Sequence, residues 1–209
     1  MWKFHVSFIN TTNQHKERVF EKILIIGDDD ITVNFEYYLK KGEIGEEKFI
    51  QFCHDNNIQV ADLRDKKYWQ DKDVDFATKR KQRIRLVEVK SDSCMGKTGN
   101  FCLEFYQHLA DSYWDSELGW AFTSKAELLA IYDVTNDRLY ICNLNDLLVF
   151  SVLYQDDYRK YEKIDRMNSG RTKKRQLLLV SIKDFVEWCD KNNKSLLIKE
   201  CDNDDNLFN

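Results

Sequence analysis

The sequence predicts an α/β protein in which one mixed β-sheet is flanked by helices. Its 209 residues are 43% hydrophobic and 33% charged, the balance of a globular chain that can bury a sizeable core. The chain contains no proline and no linker rich in serine and glycine, so a single domain over 1–209 is expected. A helical pattern is followed by several strand patterns and then by alternating strands and helices, an order typical of such folds.

The first 41 residues are expected to form an elaboration that precedes the core. Apolar and polar residues alternate over 2–9, and 23–26 is an apolar run that ends at a glycine, so each segment is predicted to be a strand. Residues 11–22 between them are compatible with a short capped helix.

The core is expected over residues 42–192, followed by a frayed acidic tail over 193–209. Its elements are predicted from apolar residues at helical or at alternating spacing. Helices are predicted at 43–56, 144–154 and 182–192. Strands are predicted at 58–63, 73–79, 83–90, 100–105, 128–133, 138–143 and 176–180. Asn136 and Asp137 favour a tight turn, so the strands on either side of them are expected to form a hairpin.

The composition of the chain argues against several classes of function. A net charge of −4 argues against a general polyanion binder, although basic residues are concentrated within 79–90 and 171–175. The six cysteines and four histidines lack the paired spacing of a zinc site, so reduced thiols are expected. No apolar run approaches the roughly 20 residues that cross a bilayer. The N-terminus also lacks a signal-peptide pattern, which predicts an intracellular, cytoplasmic protein.

Three charged residues on two successive predicted strands are the most informative about chemistry. Apolar residues flank Asp75 on the first strand and flank Glu88 and Lys90 on the second. Because side chains alternate along a strand, Glu88 and Lys90 share one face. If the two strands form a hairpin that turns at 81–82, Asp75 lies directly opposite Glu88.

This arrangement favours a site for a hard metal ion. Two carboxylates so close together repel each other unless a cation lies between them. Oxygen ligands on a rigid sheet suit Mg²⁺ or Mn²⁺, and a neighbouring lysine can hold a phosphate or orient a water molecule. Asp75, Glu88 and Lys90 therefore predict hydrolysis of phosphodiester bonds. The alternative is a solvent-facing hairpin whose charges keep a sheet edge soluble.

Asp75, a twelve-residue gap and Glu88-x-Lys90 resemble the signature of the PD-(D/E)XK nuclease superfamily. The resemblance implies a restriction-endonuclease-like core, Mg²⁺ or Mn²⁺ as cofactor, and DNA as substrate. Val74 stands where the name of the superfamily has proline. Asp73 competes with Asp75 for the metal-binding role, but it lies at the polar entrance of the strand.

The same superfamily often places an acidic residue on the helix that begins its core, a few positions after a glycine. Here Gly42 is followed by Glu46 and Glu47. Apolar residues lie three, four and seven positions after Glu46, which favours Glu46 over Glu47 as the side chain that faces the sheet. The resemblance therefore implies Glu46 as a supporting catalytic residue and metal ligand, beside Asp75, Glu88 and the backbone carbonyl of Val89.

The segment from Lys97 to Glu104 is similar to a phage and mobile-element branch of the superfamily, in which a Thr-Gly-Asn stretch leads into a strand that carries a glutamate. If Glu104 faces the site, it would bind or organise a second metal ion or a water molecule. An exposed glutamate on an edge strand is an equally supported alternative.

Basic residues at the hairpin tip, in the loop before the Glu104 strand and in the second basic run are predicted to contact a phosphate backbone without reading sequence. They are Lys79, Arg80, Lys81, Lys97, Arg171, Lys173, Lys174 and Arg175. For the run at 171–175, a solvated turn is an equally supported alternative.

Together these patterns predict a metal-dependent nuclease whose partner is nucleic acid, with DNA favoured and a homodimer left open. One alternative is a nucleic-acid-binding protein on the same fold that has no catalytic activity. The other is an interaction protein whose charged hairpin is simply surface.

Overall fold

The structure, a computed structural model, describes residues 30–109, 117–166 and 172–201. Its helices are α1 (Asp30–Asp55), α2 (Lys67–Gln70), α3 (Met95–Thr98), α4 (Trp120–Thr123), α5 (Leu144–Leu153) and α6 (Ile182–Lys191). Its strands are β1 (Gln59–Asp62), β2 (Phe76–Arg80), β3 (Arg83–Asp92), β4 (Asn100–Leu109), β5 (Glu117–Leu118), β6 (Leu128–Asp133), β7 (Arg138–Asn143), β8 (Arg159–Arg166), β9 (Thr172–Ser181) and β10 (Leu196–Glu200). The predicted class, an α/β fold with a central mixed sheet flanked by helices, is confirmed.

The central sheet has the strand order β1-β2-β3-β6-β7-β10. Its strands pair antiparallel except for β3 and β6, which run parallel and make the sheet mixed. A parallel pair needs a long crossover connection, and here that connection carries β4 and β5. Those strands join β8 and β9 in a second, antiparallel sheet of order β5-β4-β9-β8, which the sequence did not predict.

The two faces of the central sheet pack against different elements. On one face, Phe49 and Cys53 of α1 form a buried cluster with Phe76, Val87 and Val89 of the hairpin. The other face packs against the second sheet and against α5 and α6. The main side chains of this larger cluster are Leu129, Ile131, Phe101, Leu103, Leu178, Val180, Phe150 and Phe185. Because Glu88 and Lys90 alternate with Val87 and Val89, they point into the space between the two sheets.

Gly45 allows α1 to lie close against the central sheet. A Cβ atom at this position would be only 2.1 Å from the Ser91 hydroxyl oxygen and 3.1 Å from Cβ of Tyr132. The close approach brings the adjacent residue, Glu46, onto the sheet, where its side chain is buried. Glu47, the next residue, is exposed.

Several predicted boundaries agree with the structure and others do not. The starts of α5 and α6 match, since Asn143 and Ser181 accept hydrogen bonds from the backbone N–H groups of Asp146 and Asp184 and so cap the helices. The first core helix begins thirteen residues earlier than predicted, at Asp30. The prediction of a fully frayed tail is wrong, because residues 196–200 form β10 and pair with β7.

The strands and helix predicted over residues 2–27 lie outside the described residues. In the described ranges, no helix combines the length and the apolar character that crossing a membrane requires.

Candidate active site

The β2–β3 hairpin has the register that the sequence predicts. Phe76 pairs with Val87 and Arg80 pairs with Arg83. Asp75 lies one step beyond the last pair, opposite Glu88, and its N–H donates to the carbonyl of Val87 at 2.9 Å. The hairpin therefore brings the two predicted carboxylates next to each other.

The Asp75 carboxylate replaces a missing backbone partner. The pairing of β2 with β3 ends at Val87, so the backbone N–H of Val89 has no β2 carbonyl opposite it. Oδ2 of Asp75 accepts that N–H at 2.9 Å, and the residue is 1% exposed. Val89, which the resemblance implied as a ligand through its carbonyl, thus meets Asp75 through its N–H.

Glu88 is fully buried, and only one of its two carboxylate oxygens has a hydrogen-bond partner among the described residues. Its Oε1 accepts a hydrogen bond from Nζ of Lys90, and its Oε2 has no hydrogen-bond partner among the described residues. Burial raises the pKa of Glu88, the Lys90 ammonium opposes this, and the negative charge of Asp75 adds to the rise. Burying a carboxylate oxygen without a partner costs free energy. A cation or a hydrogen-bond donor that binds this oxygen would therefore be stabilised there.

Lys90 is held between a carboxylate and an aromatic ring. Its Nζ pairs with Glu88 and lies 4.8 Å from the ring centroid of Trp120 in α4. Burial by itself lowers the pKa of Lys90, but the charges of Glu88 and Asp75 outweigh it and the pKa is raised. The amine is therefore protonated at neutral pH. The contact with Trp120 could not be predicted from the sequence, because a contact across thirty residues leaves no local pattern.

Glu46 has a counterion that the sequence did not reveal. Its Oε2 accepts from Nη1 of Arg64 at 2.5 Å, and Nη2 of the same guanidinium is 2.5 Å from Oδ2 of Asp62. The hydrogen bond to Asp62 raises the pKa of Arg64, and the charge of Asp75 contributes as well. Arg64 also lies over the Phe76 ring, 5.0 Å from its centroid. No local motif marks this arginine, whose partner Glu46 lies on a different element.

The three predicted carboxylates do not assemble into one ligand group. Within the described residues, no set of three or more His, Cys, Asp or Glu side chains is arranged to hold a metal ion. The physical reason is that Glu46 belongs to α1, which packs on one face of the central sheet, whereas Glu88 points to the other. Asp75 and Glu88 remain as an adjacent pair.

Asp73, the competing carboxylate, lies in the turn before β2 and not on the strand. Its φ of +50° places it in the left-handed region, and its Oδ2 accepts a hydrogen bond from the Thr123 hydroxyl at 3.4 Å. Burial raises its pKa and the charge of Lys90 lowers it, with a net rise. Asp73 therefore contributes to the field around Lys90 from the rim of the site.

Glu104 is buried and paired with an arginine. Its Oε2 is 3.0 Å from Nη1 of Arg175, and the two residues are 3% and 1% exposed. The prediction of Arg175 as a surface contact for phosphates is wrong, since its side chain is buried and paired with Glu104. Glu104 also lines a small cavity of about 30 Å³ together with Lys90, Asp92 and Trp120.

The other predicted basic contacts lie in different parts of the fold. Lys79, Arg80 and Lys81 are exposed at the hairpin tip, and Lys97 is exposed on α3. Lys174 is half-buried on β9. Lys173 lies on the same strand, with its side chain outside the described part, and Arg171 lies outside the described residues altogether.

Comparison with known proteins gives limited similarity. No family model matches the chain, and no curated protein matches it. Among solved structures, the bacterial homing endonuclease I-Ssp6803I is similar over 50% of this chain and 68% of its own, with 15% sequence identity and a TM-score of 0.38.

Proposed function

We propose that this protein is a metal-dependent nuclease that hydrolyses phosphodiester bonds in DNA. The observation that carries the proposal is the buried pair formed by Asp75 and Glu88, with Lys90 beside it and Oε2 of Glu88 unpartnered. A structural role alone does not account for a fully buried carboxylate that leaves one oxygen unsatisfied next to a second acid.

The donors present fit a small hard cation such as Mg²⁺ or Mn²⁺. Such ions are held by as few as one or two carboxylates, with water and substrate phosphate as further ligands. Asp75 and Glu88 would supply those carboxylates, and a direct role for Glu46 stays a prediction. When bound, the ion would act as a Lewis acid on the phosphoryl group and lower the pKa of a water molecule.

Lys90 supplies the positive charge that phosphoryl transfer needs. Its ammonium is protonated and directed by Glu88 and by the Trp120 ring, so it is available as a fixed donor to a phosphate oxygen or to the attacking water. Trp120 also covers the amine and limits the access of bulk water to it. The placement of Asp75, Glu88 and Lys90 supports this part of the PD-(D/E)XK resemblance as a proposal for the chemistry of the chain.

A second candidate function is nucleic-acid binding without catalysis. Arg64 and Lys90 already neutralise Glu46 and Glu88, so the charges are balanced by the protein itself. In such a protein the ion pairs would be structural, and metal ions would change neither stability nor binding.

Cleavage of supercoiled plasmid in Mg²⁺, with EDTA as the blank, tests the proposal. Asp75→Asn should reduce cleavage by at least a hundredfold, because it removes a ligand charge but keeps an oxygen that can accept the Val89 N–H. The matched control is Glu47→Gln, which removes the same charge from an exposed position on α1. Wild-type cleavage by Asp75→Asn, or no Mg²⁺-dependent cleavage by the wild type, would contradict the proposal.

A further inference from the structure

A wide groove crosses the central sheet on the face opposite to Glu88 and Lys90. Arg83 and Arg85 alternate along β3 with residues that point the other way, and they share their face with Val87. Arg80 pairs with Arg83 across the hairpin and faces the same side. The groove has a volume of about 1640 Å³, well above the roughly 300–1,000 Å³ of small-molecule sites. Its size therefore favours a polymer as the occupant.

The lining of this groove combines basic and apolar side chains with one acid. Leu128, Ile141 and Leu197 are apolar, and Nζ of Lys194 is 3.0 Å from Oδ1 of Asp146. Other side chains in the lining carry hydroxyl or amide groups that can donate to an anion. They are Gln82, Asn143, Asn193 and Ser195.

Four basic side chains that line the groove have no acidic partner in the described part of the chain. Arg80, Lys81, Arg83 and Arg85 form no ion pair with any residue in 30–109, 117–166 or 172–201. Facing residues of paired strands lie about 5 Å apart and alternate residues of one strand about 7 Å apart, so these like charges repel one another. Multiple negative charges in the groove would relieve that repulsion.

We propose that this groove binds the phosphate backbone of nucleic acid, as a second site separate from the carboxylate site. Arginine matches phosphate oxygens in bidentate geometry, and amide and hydroxyl donors are typical of backbone contacts. Arg83 and Glu88 are five positions apart on β3, about 17 Å at the rise of a strand, and the two point to opposite faces. One phosphate cannot contact both, so binding in the groove requires neither metal nor cleavage.

The test is anisotropy of a labelled 20-base-pair duplex in EDTA, titrated at several salt concentrations. Arg80→Gln, Arg83→Gln and Arg85→Gln are combined in one variant, which keeps side-chain length and removes three charges. Each lost phosphate contact should flatten the log–log salt slope by about 0.9, so the variant should lose up to about 3 units of slope and at least tenfold in affinity at 0.1 M salt. The control combines Lys40→Gln, Lys160→Gln and Lys183→Gln, three exposed lysines outside the groove, and should keep the wild-type slope to within one unit.

The same titration with a DNA duplex and with an RNA duplex of the same sequence shows which nucleic acid the groove binds. Binding of either duplex supports the proposal. A wild-type slope in the groove variant would overturn it, as would an equal loss in the control variant. Binding of wild-type protein to phosphatidylserine vesicles but to neither duplex would also overturn it. Because EDTA prevents cleavage, these results do not depend on whether the carboxylate site is a nuclease centre.

Discussion

Among individual residues, Glu88 combines complete burial, a neighbouring acid and a carboxylate oxygen without a partner in the described part of the fold. Its carboxyl group is removed from water between two sheets, and Asp75 adds a second negative charge beside it. The ion pair with Lys90 compensates only one of its two oxygens. A residue of this kind destabilises the protein without its ligand, and functional sites commonly retain such residues.

The burial of the Glu88 carboxyl group predicts that the stability of the metal-free protein depends on pH. Burial raises the pKa of Glu88 above its usual 4.5, although the charge of Lys90 opposes the rise, so in the range above 4.5 the folded state binds more protons than the unfolded state. The free energy of unfolding should therefore fall as pH rises through that window, by at most about 1.4 kcal/mol per pH unit. Urea denaturation in EDTA at pH 5, 6, 7 and 8 measures this slope. In Glu88→Gln, which has no proton to lose, the contribution should vanish, and an unchanged slope would show that Glu88 does not titrate in this range.

At the scale of secondary structure, the Glu104–Arg175 pair joins the two longest strands of the second sheet. Glu104 lies on β4 beside an irregularity in the register with β9, and Arg175 lies on β9. A buried ion pair contributes little net stability, but the loss of one partner leaves a charge without compensation. The pair therefore links β4 to β9 within a buried part of the second sheet.

Removing Arg175 should cost far more than removing both partners. Arg175→Met is expected to lower the free energy of unfolding by about 3–5 kcal/mol, because Glu104 is left buried and charged. Adding Glu104→Gln should recover a large part of that loss, and urea denaturation of both single variants and the double variant gives the coupling free energy. If the double variant were as unstable as the sum of the single variants, the two side chains would not be coupled.

The β2–β3 hairpin could be predicted from the sequence because its information is local. Alternation of side chains fixed which residues share a face, and the basic turn fixed the register that brings Asp75 opposite Glu88. By contrast, Arg64 and Trp120 reach the site from other elements, and no spacing along the chain records those contacts.

The elements that were missed have weak local patterns. The strand β8 is mostly charged, and β10 is a short exposed strand in a segment whose composition resembles a frayed tail. The inward orientation of Arg175 left no local signal, because residues 177–180, which follow it on β9, are all apolar and all buried.

In the whole molecule, the central sheet separates two surfaces of different chemistry. The face toward the second sheet encloses the carboxylates and Lys90, and the face beyond the end of α1 carries the basic groove. This separation lets a chain with a net charge of −4 carry a cluster of positive charge on one face. The carboxylate site would perform the chemistry, and the groove would contribute binding.

Titration calorimetry with Mn²⁺ on the wild type and on Glu88→Gln tests the metal site most directly. If the unpartnered Oε2 of Glu88 is a ligand, the wild type should bind Mn²⁺, and the variant should bind it at least tenfold more weakly while remaining folded by circular dichroism. Glu47→Gln, with the same loss of charge on an exposed helix face, should bind as the wild type does. Equal Mn²⁺ affinity in the wild type and Glu88→Gln, or no Mn²⁺ binding by the wild type, would contradict a metal centre at Asp75 and Glu88.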